Sequence, residues 1–512
     1  MSQHPLPEPP TPPAASECAL LVAEVRRFGC RHLDAAAIER GGRIAPELLV
    51  GLADLGLFGM ALPAEHGGAG LGLQEGCAVI EELAFFDRSV ATLVGLHTGL
   101  GSRALVEHAA PEVRSAWLPR LASGACVGAF AATESAAGSD LMAVATRARF
   151  EGEEIVISGE KSYVTNGGLA GCFTVLARTA AHAHALVLVP RHSPGVGVGT
   201  EEHKLGICAS STVTVSFEQV RVPCANLLGS SERGLEAAYG VLSWGRTLMA
   251  AGCVGTMRAA LSAITTHVTT RVQFRRRLGE FAAVKARVAD IATMLFASRA
   301  LVVRAAAAAH RPEGQSLSMA AKVFASERTF ESCDGAVQLH GALGVIEDVG
   351  VARLLRDCRV TRIFEGANDV LLLRIAAARV TTQERATRLR ELPVRWREIA
   401  ERCDHFADEL DAAVEAVRAV HGAAIVARQD AMLRLGRAEV AHVAAVSAVL
   451  AAGLEDEDVA TLAVHRLLGD AARELAGVES VAETERLAAR IAERLYDTGP
   501  RAPRGHTTLE SS

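Results

Sequence analysis

Glu154-Ile155-Val156-Ile157-Ser158-Gly159-Glu160-Lys161-Ser162-Tyr163-Val164-Thr165 introduces β structure into a chain that is otherwise patterned for helices. Its β-branched residues, on both sides of Ser158-Gly159, predict a strand, a turn and a second strand. Residues 185–190 form a short apolar run closed by a proline, and residues 212–217 alternate with period two, so both predict further strands. We therefore expect residues 124–233 to form a central antiparallel, β-barrel-like domain.

Helical spacing of apolar residues dominates both sides of this β segment. Segments such as residues 77–86 predict a helical N-terminal domain at 17–123. The same periodicity returns at 234–380, which predicts a C-terminal four-helix bundle. The expected fold class is thus multi-domain α+β, with helices before and after a sheet.

A further helical segment is predicted beyond the bundle, at residues 381–498. Pro393 interrupts the chain there, and apolar residues then recur at coiled-coil-like spacing. These residues are Ile399, Cys403, Phe406, Leu410, Ala413 and Val417. The Pro-rich residues 1–16 and the last residues, 499–512, are predicted to be disordered tails.

Composition narrows the possible partners. The 512 residues are 50% hydrophobic and carry a net charge of −6, with no basic block, so a nucleic-acid partner is not expected. The 11 cysteines are scattered without Cys-x-x-Cys pairs or zinc-site spacing, which predicts reduced thiols, a cytoplasmic location and no metal site. The first residues have no signal or transit pattern, and neither a membrane span nor membrane contact is expected.

One carboxylate has a local sequence suited to catalysis. Glu365 lies in Arg362-Ile363-Phe364-Glu365-Gly366-Ala367-Asn368-Asp369, between an apolar approach and a glycine. Such surroundings can desolvate a carboxylate and raise its pKa, as a general base needs. The alternative is an ordinary residue at a helix terminus.

Three other stretches have both a functional and a structural interpretation. Residues 130–141 are small and hydroxylic, which suits a flat ligand, although Ser139 or Asp140 could simply cap a helix. Residues 163–168 contain Asn-Gly, which a plain hairpin would explain. Residues 337–344 are Gly-rich and could admit a phosphate chain or end a helix, and His340 alone is more typical of a structural histidine.

The order of these stretches resembles the acyl-CoA dehydrogenase family. Residues 63–68 look like its early Gly-rich turn, 133–140 like its flavin and substrate signature, and 161–168 like its Lys-x-aromatic-Ile-Thr-Asn-Gly-Gly strand. Residues 271–274 are similar to its arginine segment, and Gln338-Leu339-His340-Gly341 and Ile363-Phe364-Glu365-Gly366 complete the set. The resemblance runs from about residue 20 to 378. The appended helices are placed like the extra segment of very-long-chain acyl-CoA dehydrogenases.

This resemblance implies FAD as cofactor and α,β-dehydrogenation of an acyl thioester. Glu365 would take the α proton while a hydride leaves the β carbon for flavin. Some relatives carry the base immediately before the arginine that matches Arg246, but Gly245 stands there. The thioester would also meet Ser139, Arg246 and Gly366.

Cofactor-binding residues are implied in the same way. Those expected around the isoalloxazine or thioester are Phe130, Ala132, Thr133, Gly138, Ser139, Tyr163 and Thr165. Those expected to reach the FAD of a neighbouring subunit are Arg271, Phe274, Gln338, Leu339 and Gly341. Those expected to close over the flavin are Ala367, Asn368 and Asp369. These carry-overs imply a homodimer or homotetramer and an electron-transfer flavoprotein as electron acceptor.

Several departures from the family pattern predict altered FAD anchoring and an unusual acyl partner. They are Arg275-Arg276-Arg277 after Phe274, Ala282 after Phe281, Ala342, Ala367 and Ser243. The three arginines suit phosphates or the acidic helices of an acyl carrier protein, or form a solvated basic turn. A carrier-protein thioester dehydrogenase and a flavin oxidase or monooxygenase are the alternative functions.

Overall fold

The structure is a computed structural model that describes residues 17–180, 183–382, 385–389, 396–452 and 457–478. Both predicted tails lie outside the described residues, as do Pro393 and the last part of the predicted appended segment. Helices come first, a sheet follows, and helices return, which confirms the predicted multi-domain α+β class.

Seven α-helices precede the sheet within residues 17–126, the part of the chain described there. Their bounds are α1 Glu17–His32, α2 Ala35–Gly41, α3 Pro46–Asp54, α4 Leu73–Phe86, α5 Arg88–Leu96, α6 Arg103–His108 and α7 Pro111–Ala122. A single π-helical stretch, His97–Gly101, joins α5 to α6. There His97 is fully buried, and its ring nitrogens lie 3.1 Å from the Phe58 carbonyl oxygen and 3.0 Å from the Gly128 amide nitrogen. These two contacts fix the end of α5 against the first strand.

The central sheet has eight strands, most of them antiparallel. Their bounds are β1 Val127–Ala131, β2 Arg147–Glu151, β3 Glu154–Thr165, β4 Ala170–Ala180, β5 Ala183–Pro190, β6 Val196–Glu201, β7 Thr212–Pro223 and β8 Leu227–Leu228. The strand order is β6-β7-β3-β2-β4-β5-β8, with β1 on β4. The predicted antiparallel arrangement is wrong at two places, because β1 and β2 each pair with β4 in parallel.

The predicted turn at Ser158-Gly159 is also wrong. β3 continues through these residues because β7 pairs with it from one end to the other, and the mismatch is absorbed as a bulge between Ile157 and Gly159. The Asn166-Gly167 turn does connect β3 to β4, but the two do not form a plain hairpin. In the sheet, β3 lies between β7 and β2, whereas β4 pairs with β1, β2 and β5.

The helices after the sheet pack with those before it in the largest hydrophobic core of the described residues. Their bounds are α8 Gly234–Thr270, α9 Ala282–Ala307, α10 Gly314–His340, α11 Val351–Arg359 and α12 Asn368–Thr382. Two short strands, β9 Val272–Gln273 and β10 Arg276–Arg277, form a small exposed ribbon between α8 and α9. α8 is apolar enough to resemble a membrane span, but 78% of its most apolar window is buried against other elements.

Charged side chains tie the helices together at buried positions. Glu81 of α4 lies 2.7 Å from Arg299 of α9 and 3.3 Å from Arg258 of α8. Both Glu81 and Arg299 are less than a tenth exposed. A buried carboxylate with two arginine partners resists removal of either charge, because the remaining partner would be left desolvated.

The appended segment packs directly on the bundle. Its helices are α13 Arg397–His421, α14 Gln429–Ala451 and α15 Glu457–Ala476. Arg379 of α12 pairs with Asp411 of α13 at 2.7 Å and with Glu439 of α14 at 2.9 Å. Cys403, Phe406 and Leu410 of the predicted apolar repeat are buried, whereas Ile399, Ala413 and Val417 are half-buried.

Candidate active site

The backbone around Glu365 is held in a strained conformation by two buried cations. Glu365 sits between the end of α11 and the start of α12 with a φ of +57°, in the left-handed region that a residue with a Cβ rarely adopts. Arg246 Nε donates to the Glu365 carbonyl oxygen at 2.9 Å, and Lys322 Nζ donates to the Gly366 carbonyl oxygen at 2.8 Å. Positive φ at a non-glycine residue, fixed by charged donors, is typical of functional sites.

The side chain of Glu365 is desolvated and has no partner. The residue as a whole is half-buried, but both carboxylate oxygens are buried without a hydrogen bond among the described residues. Burial raises the pKa of Glu365 to about 7, against the opposing charges of Arg246, Lys322 and Arg88. A carboxyl that titrates near neutrality can alternate between acid and base at working pH.

A narrow cavity leads from this carboxylate into the helical core. The empty space among its lining residues, counted together with the part open to solvent, is about 280 Å³. Its apolar lining comes mainly from Ile80, Ala91, Leu96, Leu248, Met249 and Phe364. Gly245 of α8 lets the carboxylate approach, because a Cβ there would lie 3.0 Å from Oε2 of Glu365. A dry, apolar channel that ends at an unpartnered carboxylate suits a hydrocarbon chain with an acidic C–H bond near Glu365.

Lys322 belongs to this site, although the sequence analysis did not identify it. Its ammonium is fully buried and also donates to Asn368 Oδ1 at 2.7 Å. Burial lowers the pKa of Lys322 to about 7, while the Glu365 carboxylate opposes that shift. The sequence does contain a signal that could have identified Lys322: it is the single lysine in the otherwise apolar stretch 319–325 of α10.

A second buried ion pair holds the loop after β1. Lys161 Nζ lies 2.7 Å from Glu134 Oε1 and 3.0 Å from the Ala132 carbonyl oxygen. Glu134 also accepts hydrogen bonds from the amides of Ala145 and Thr146. The loop that carries Thr133, Gly138 and Ser139 is therefore held at both ends, with its hydroxyls left for other contacts.

Two of the predicted residues at the end of β1 belong to an apolar cluster that reaches the cavity lining at Leu96. Phe130 and Ala132 pack in the same apolar cluster as Leu96 and Leu100. Leu100 in turn contacts Gly245, since a Cβ there would lie 2.5 Å from Leu100 Cδ2. The sheet residues and the Glu365 end of α8 are thereby brought together.

Comparison with known proteins gives the same picture. Models of the N-terminal, middle and C-terminal domains of acyl-CoA dehydrogenase match residues 15–125, 129–220 and 232–380 in that order. A protein of Bacillus subtilis (strain 168) named acyl-CoA dehydrogenase is 34% identical over 360 residues, which cover 69% of this chain and 95% of that protein. The chain belongs to the acyl-CoA dehydrogenase family.

Relatives within the acyl-CoA dehydrogenase family differ in length. The very-long-chain specific enzyme of Mus musculus is 33% identical over 369 residues, or 70% of this chain, and the match spans only 56% of that relative. The Bacillus anthracis acyl-CoA dehydrogenase solved with FAD covers 90% of this chain and is itself 87% covered, at 25% identity and a TM-score of 0.80. The butyryl-CoA dehydrogenase of Megasphaera elsdenii is 30% identical, with a TM-score of 0.69, and covers 71% of this chain and 98% of its own.

As an acyl-CoA dehydrogenase relative, the chain exposes the aromatic and hydroxylic residues expected at a flavin. Tyr163 is 66% exposed and has a φ of +56° on β3. Thr165 is half-buried beside it, and the next residue, Asn166, is buried and donates to the Leu93 carbonyl oxygen. Asp140 does cap a short 3₁₀ turn at Leu141–Ala143, so that structural interpretation is correct for Asp140, while Ser139 remains exposed.

The residues predicted to reach a second subunit form a separate group. Arg271 ends α8, 26 residues beyond Gly245, or about 39 Å along the helix. His267 and His340 stack with ring centroids 4.2 Å apart, which places the end of α10 beside this end of α8. These residues, called the second group below, therefore lie well away from Glu365. The second group consists of Arg271, Phe274, Gln338, Leu339 and Gly341.

Two of the structural alternatives describe this second group correctly. Gly341 ends α10 with a φ of +60°, as a helix C-cap. Arg276 lies against Phe281 and Glu280 in an exposed turn, as a solvated basic turn would. Phe274 is 87% exposed, with its ring in an edge-to-face contact with Phe281 at a centroid distance of 6.3 Å.

The three residues after Gly366 have different surroundings. Ala367 is half-buried and Asp369 is exposed. The Asn368 amide is occupied by Lys322, by Ser326 at 3.0 Å and by Glu327 at 2.6 Å. Asn368 therefore orients Lys322, and contact of these three residues with a flavin stays a prediction.

Proposed function

We propose that this chain is a FAD-dependent dehydrogenase that oxidises acyl-CoA thioesters between their α and β carbons. The observation that carries the proposal is the Glu365 carboxylate, buried and unpartnered at the mouth of an apolar cavity. In its ionised form Glu365 removes the α proton, and two electrons and the second hydrogen leave the β carbon together. The product is the trans-enoyl thioester.

The cations around Glu365 position the base without neutralising it. Arg246 and Lys322 bond to backbone carbonyl oxygens of Glu365 and Gly366, so their charges support the carboxylate from behind. The Glu365 amide has no backbone hydrogen bond in the described part of the chain. That donor is available to the thioester carbonyl, where negative charge develops as the proton leaves.

The residues present fit FAD. Tyr163, which is exposed and has positive φ, and the hydroxyls on the loop fixed by the Lys161–Glu134 pair offer a stacking surface and donors. Phe274 offers a further exposed ring, which contacts Phe281 by its edge. When bound, FAD supplies the acceptor for the β hydride. Phe130, Ala132, Thr133, Gly138, Ser139, Tyr163 and Thr165 would hold its flavin end.

The second group would complete the cofactor site of another subunit. Arg271 and its neighbours lie too far along α8 to serve the cavity of their own subunit. We therefore propose a homodimer or homotetramer that shares its FAD sites, with an electron-transfer flavoprotein as acceptor. The 11 free cysteines support a reducing, cytoplasmic location.

The carrier-protein alternative has weaker support. Arg275, Arg276 and Arg277 are exposed, as that alternative requires. They lie, however, beside Arg271 at the end of α8 that is remote from Glu365, so an acyl carrier bound there is far from the cavity of its own subunit.

The test is anaerobic bleaching of the bound flavin by acyl thioesters of graded length on CoA and on acyl carrier protein. We expect bleaching by acyl-CoA, with formation of the enoyl product in equal amount. Bleaching only by thioesters of acyl carrier protein would mean that the substrate carrier is that protein and not CoA. Rapid release of peroxide under air would favour an oxidase. Failure of every thioester to reduce the flavin would overturn the proposal.

A further inference from the structure

The cavity has a second charged group at the end opposite Glu365. Arg88 is the first residue of α5, and the preceding residue, Asp87, caps that helix by accepting from the Val90 amide at 2.9 Å. Arg88 is only 5% exposed and lines the cavity. Among the lining residues, Arg88 and Glu365 are the charged ones.

The guanidinium of Arg88 lacks the partners that a buried charge needs. Nη2 donates to the Met249 carbonyl oxygen at 3.3 Å, with Cys253 Sγ at 3.9 Å. Nε and Nη1 are buried and find no acceptor in the part of the chain that is described. A guanidinium does not lose its proton, so a buried one without an anion is strongly destabilising. Two other buried arginines of the helical core, Arg299 and Arg379, do have carboxylate partners.

Glu365 is not that partner. The two groups form no ion pair, although Arg88 contributes to lowering the pKa of Glu365. Arg246 and Lys322 already face Glu365 from α8 and α10. With Arg88 the surroundings hold three cations against one carboxylate, so positive charge is in excess around the cavity.

Two glycines of α8 give the separation of the charged ends. A Cβ at Gly245 would lie 3.0 Å from Glu365 Oε2, and a Cβ at Gly252 would lie 2.2 Å from Arg88 Nη1. The glycines are seven residues apart, so they share one face of α8 and are separated by two turns, about 10 Å. Hydrogen-bond distances of about 3 Å at each end leave room for a chain of a few carbon atoms.

We propose that Arg88 binds a carboxylate at the far end of the acyl chain, so that the preferred substrates are short ω-carboxyacyl thioesters. This inference rests on the proposed function. The α carbon lies at Glu365, the methylenes contact the apolar lining, and the terminal carboxylate receives the free donors of Arg88. A neutral chain of equal length would leave the guanidinium desolvated and unpaired, which is the physical basis of discrimination.

The test compares matched thioesters on the FAD-loaded enzyme: adipyl-CoA with hexanoyl-CoA, and glutaryl-CoA with pentanoyl-CoA. We expect kcat/KM for flavin bleaching to be about 10- to 100-fold higher for the carboxylated member, as a charge-assisted hydrogen bond provides. The monomethyl ester of adipyl-CoA keeps the length but removes the charge, and it should behave like the neutral member.

Variants of Arg88 separate recognition from folding. Arg88→Leu should erase or reverse the preference while hexanoyl-CoA still bleaches the flavin, and Arg88→Lys should keep part of it. A binding readout uses Glu365→Gln, which cannot turn over: the dissociation constants of adipyl- and hexanoyl-CoA should differ in that background and converge when Arg88→Leu is added. FAD content and Tm of each variant show that it is folded.

The outcomes distinguish this inference from the proposed function. Faster bleaching by hexanoyl-CoA than by adipyl-CoA in the wild type would overturn the role of Arg88 and leave the dehydrogenase intact. An unchanged preference in both Arg88→Leu and Arg88→Lys would do the same. If no thioester of either pair reduces the flavin, both the role of Arg88 and the proposed dehydrogenase function are overturned.

Discussion

Glu81 and Glu365 are two buried glutamates of the same helical core with opposite surroundings. Glu81 is held between Arg299 and Arg258, at 2.7 and 3.3 Å. Glu365 has cations nearby, but its carboxylate oxygens have no hydrogen-bond partner in the described chain. The same side chain thus joins helices in one place and is left reactive in the other. Burial alone does not mark a functional group here, whereas burial without a partner does.

The largest expected effect is on the reaction of the unpartnered glutamate. Glu365→Gln keeps the shape of the side chain but removes the base, so the rate of flavin reduction by acyl-CoA should fall on the order of 10⁴-fold. FAD content should be unchanged, because the substitution leaves the flavin-facing loop intact. Stopped-flow absorbance under anaerobic conditions measures both quantities, and reduction at the wild-type rate would refute the role of Glu365.

The matched substitution of the paired glutamate should affect stability instead. Glu81→Gln leaves two desolvated arginines without a counter-charge, which costs about 3–5 kcal/mol in the free energy of unfolding. Denaturant unfolding followed by circular dichroism measures that loss. Flavin reduction should stay near the wild-type rate at a temperature where the variant is folded. A free energy of unfolding equal to that of the wild type would show that the ion pairs of Glu81 do not stabilise the packing of these helices.

Glu365→Gln should also stabilise the fold at alkaline pH. Folding raises the pKa of this carboxyl from 4.5 to about 7. The contribution of this carboxyl to the free energy of unfolding is therefore fully present below pH 4.5 and is lost as the pH rises through 7. Glutamine stays neutral at every pH, so the variant does not lose this contribution. At pH 8 the variant should exceed the wild type by on the order of 3 kcal/mol. Denaturant midpoints at pH 5 and pH 8 measure the difference, and an equal gain at both values would argue against it.

A smaller effect is expected from the cation behind the base. Lys322→Met removes a positive charge that lowers the pKa of Glu365. The pH at which flavin reduction reaches half its maximum should then rise by about one unit. Ser326→Ala, which also contacts Asn368, is the control because it changes no charge. A shift of the same size in both variants would mean that geometry and not charge is responsible.

The sequence predicted the helix–sheet–helix order, and it identified Glu365 and Arg246 as candidate site residues, but it did not identify Arg88 and Lys322. Motif resemblance identified Glu365, because its neighbours along the chain carry the signal. Arg88 contacts α8, and Lys322 contacts the Glu365 loop. Both contacts join segments that are distant in sequence, so neither residue stands out in its local sequence. The continuous β3 was missed for a related reason: Gly159 suggests a turn locally, and the long pairing with β7 overrides it.

The pH dependence of single-turnover flavin reduction tests the central claim most directly. The claim is that desolvation, without a hydrogen-bond partner, makes Glu365 a base that titrates near neutrality. Reduction by acyl-CoA should rise with pH through an apparent pKa of about 7 and stay flat and low in Glu365→Gln. A rise centred between about pH 4 and 5, where an ordinary glutamate titrates, or the same profile in the variant, would contradict it.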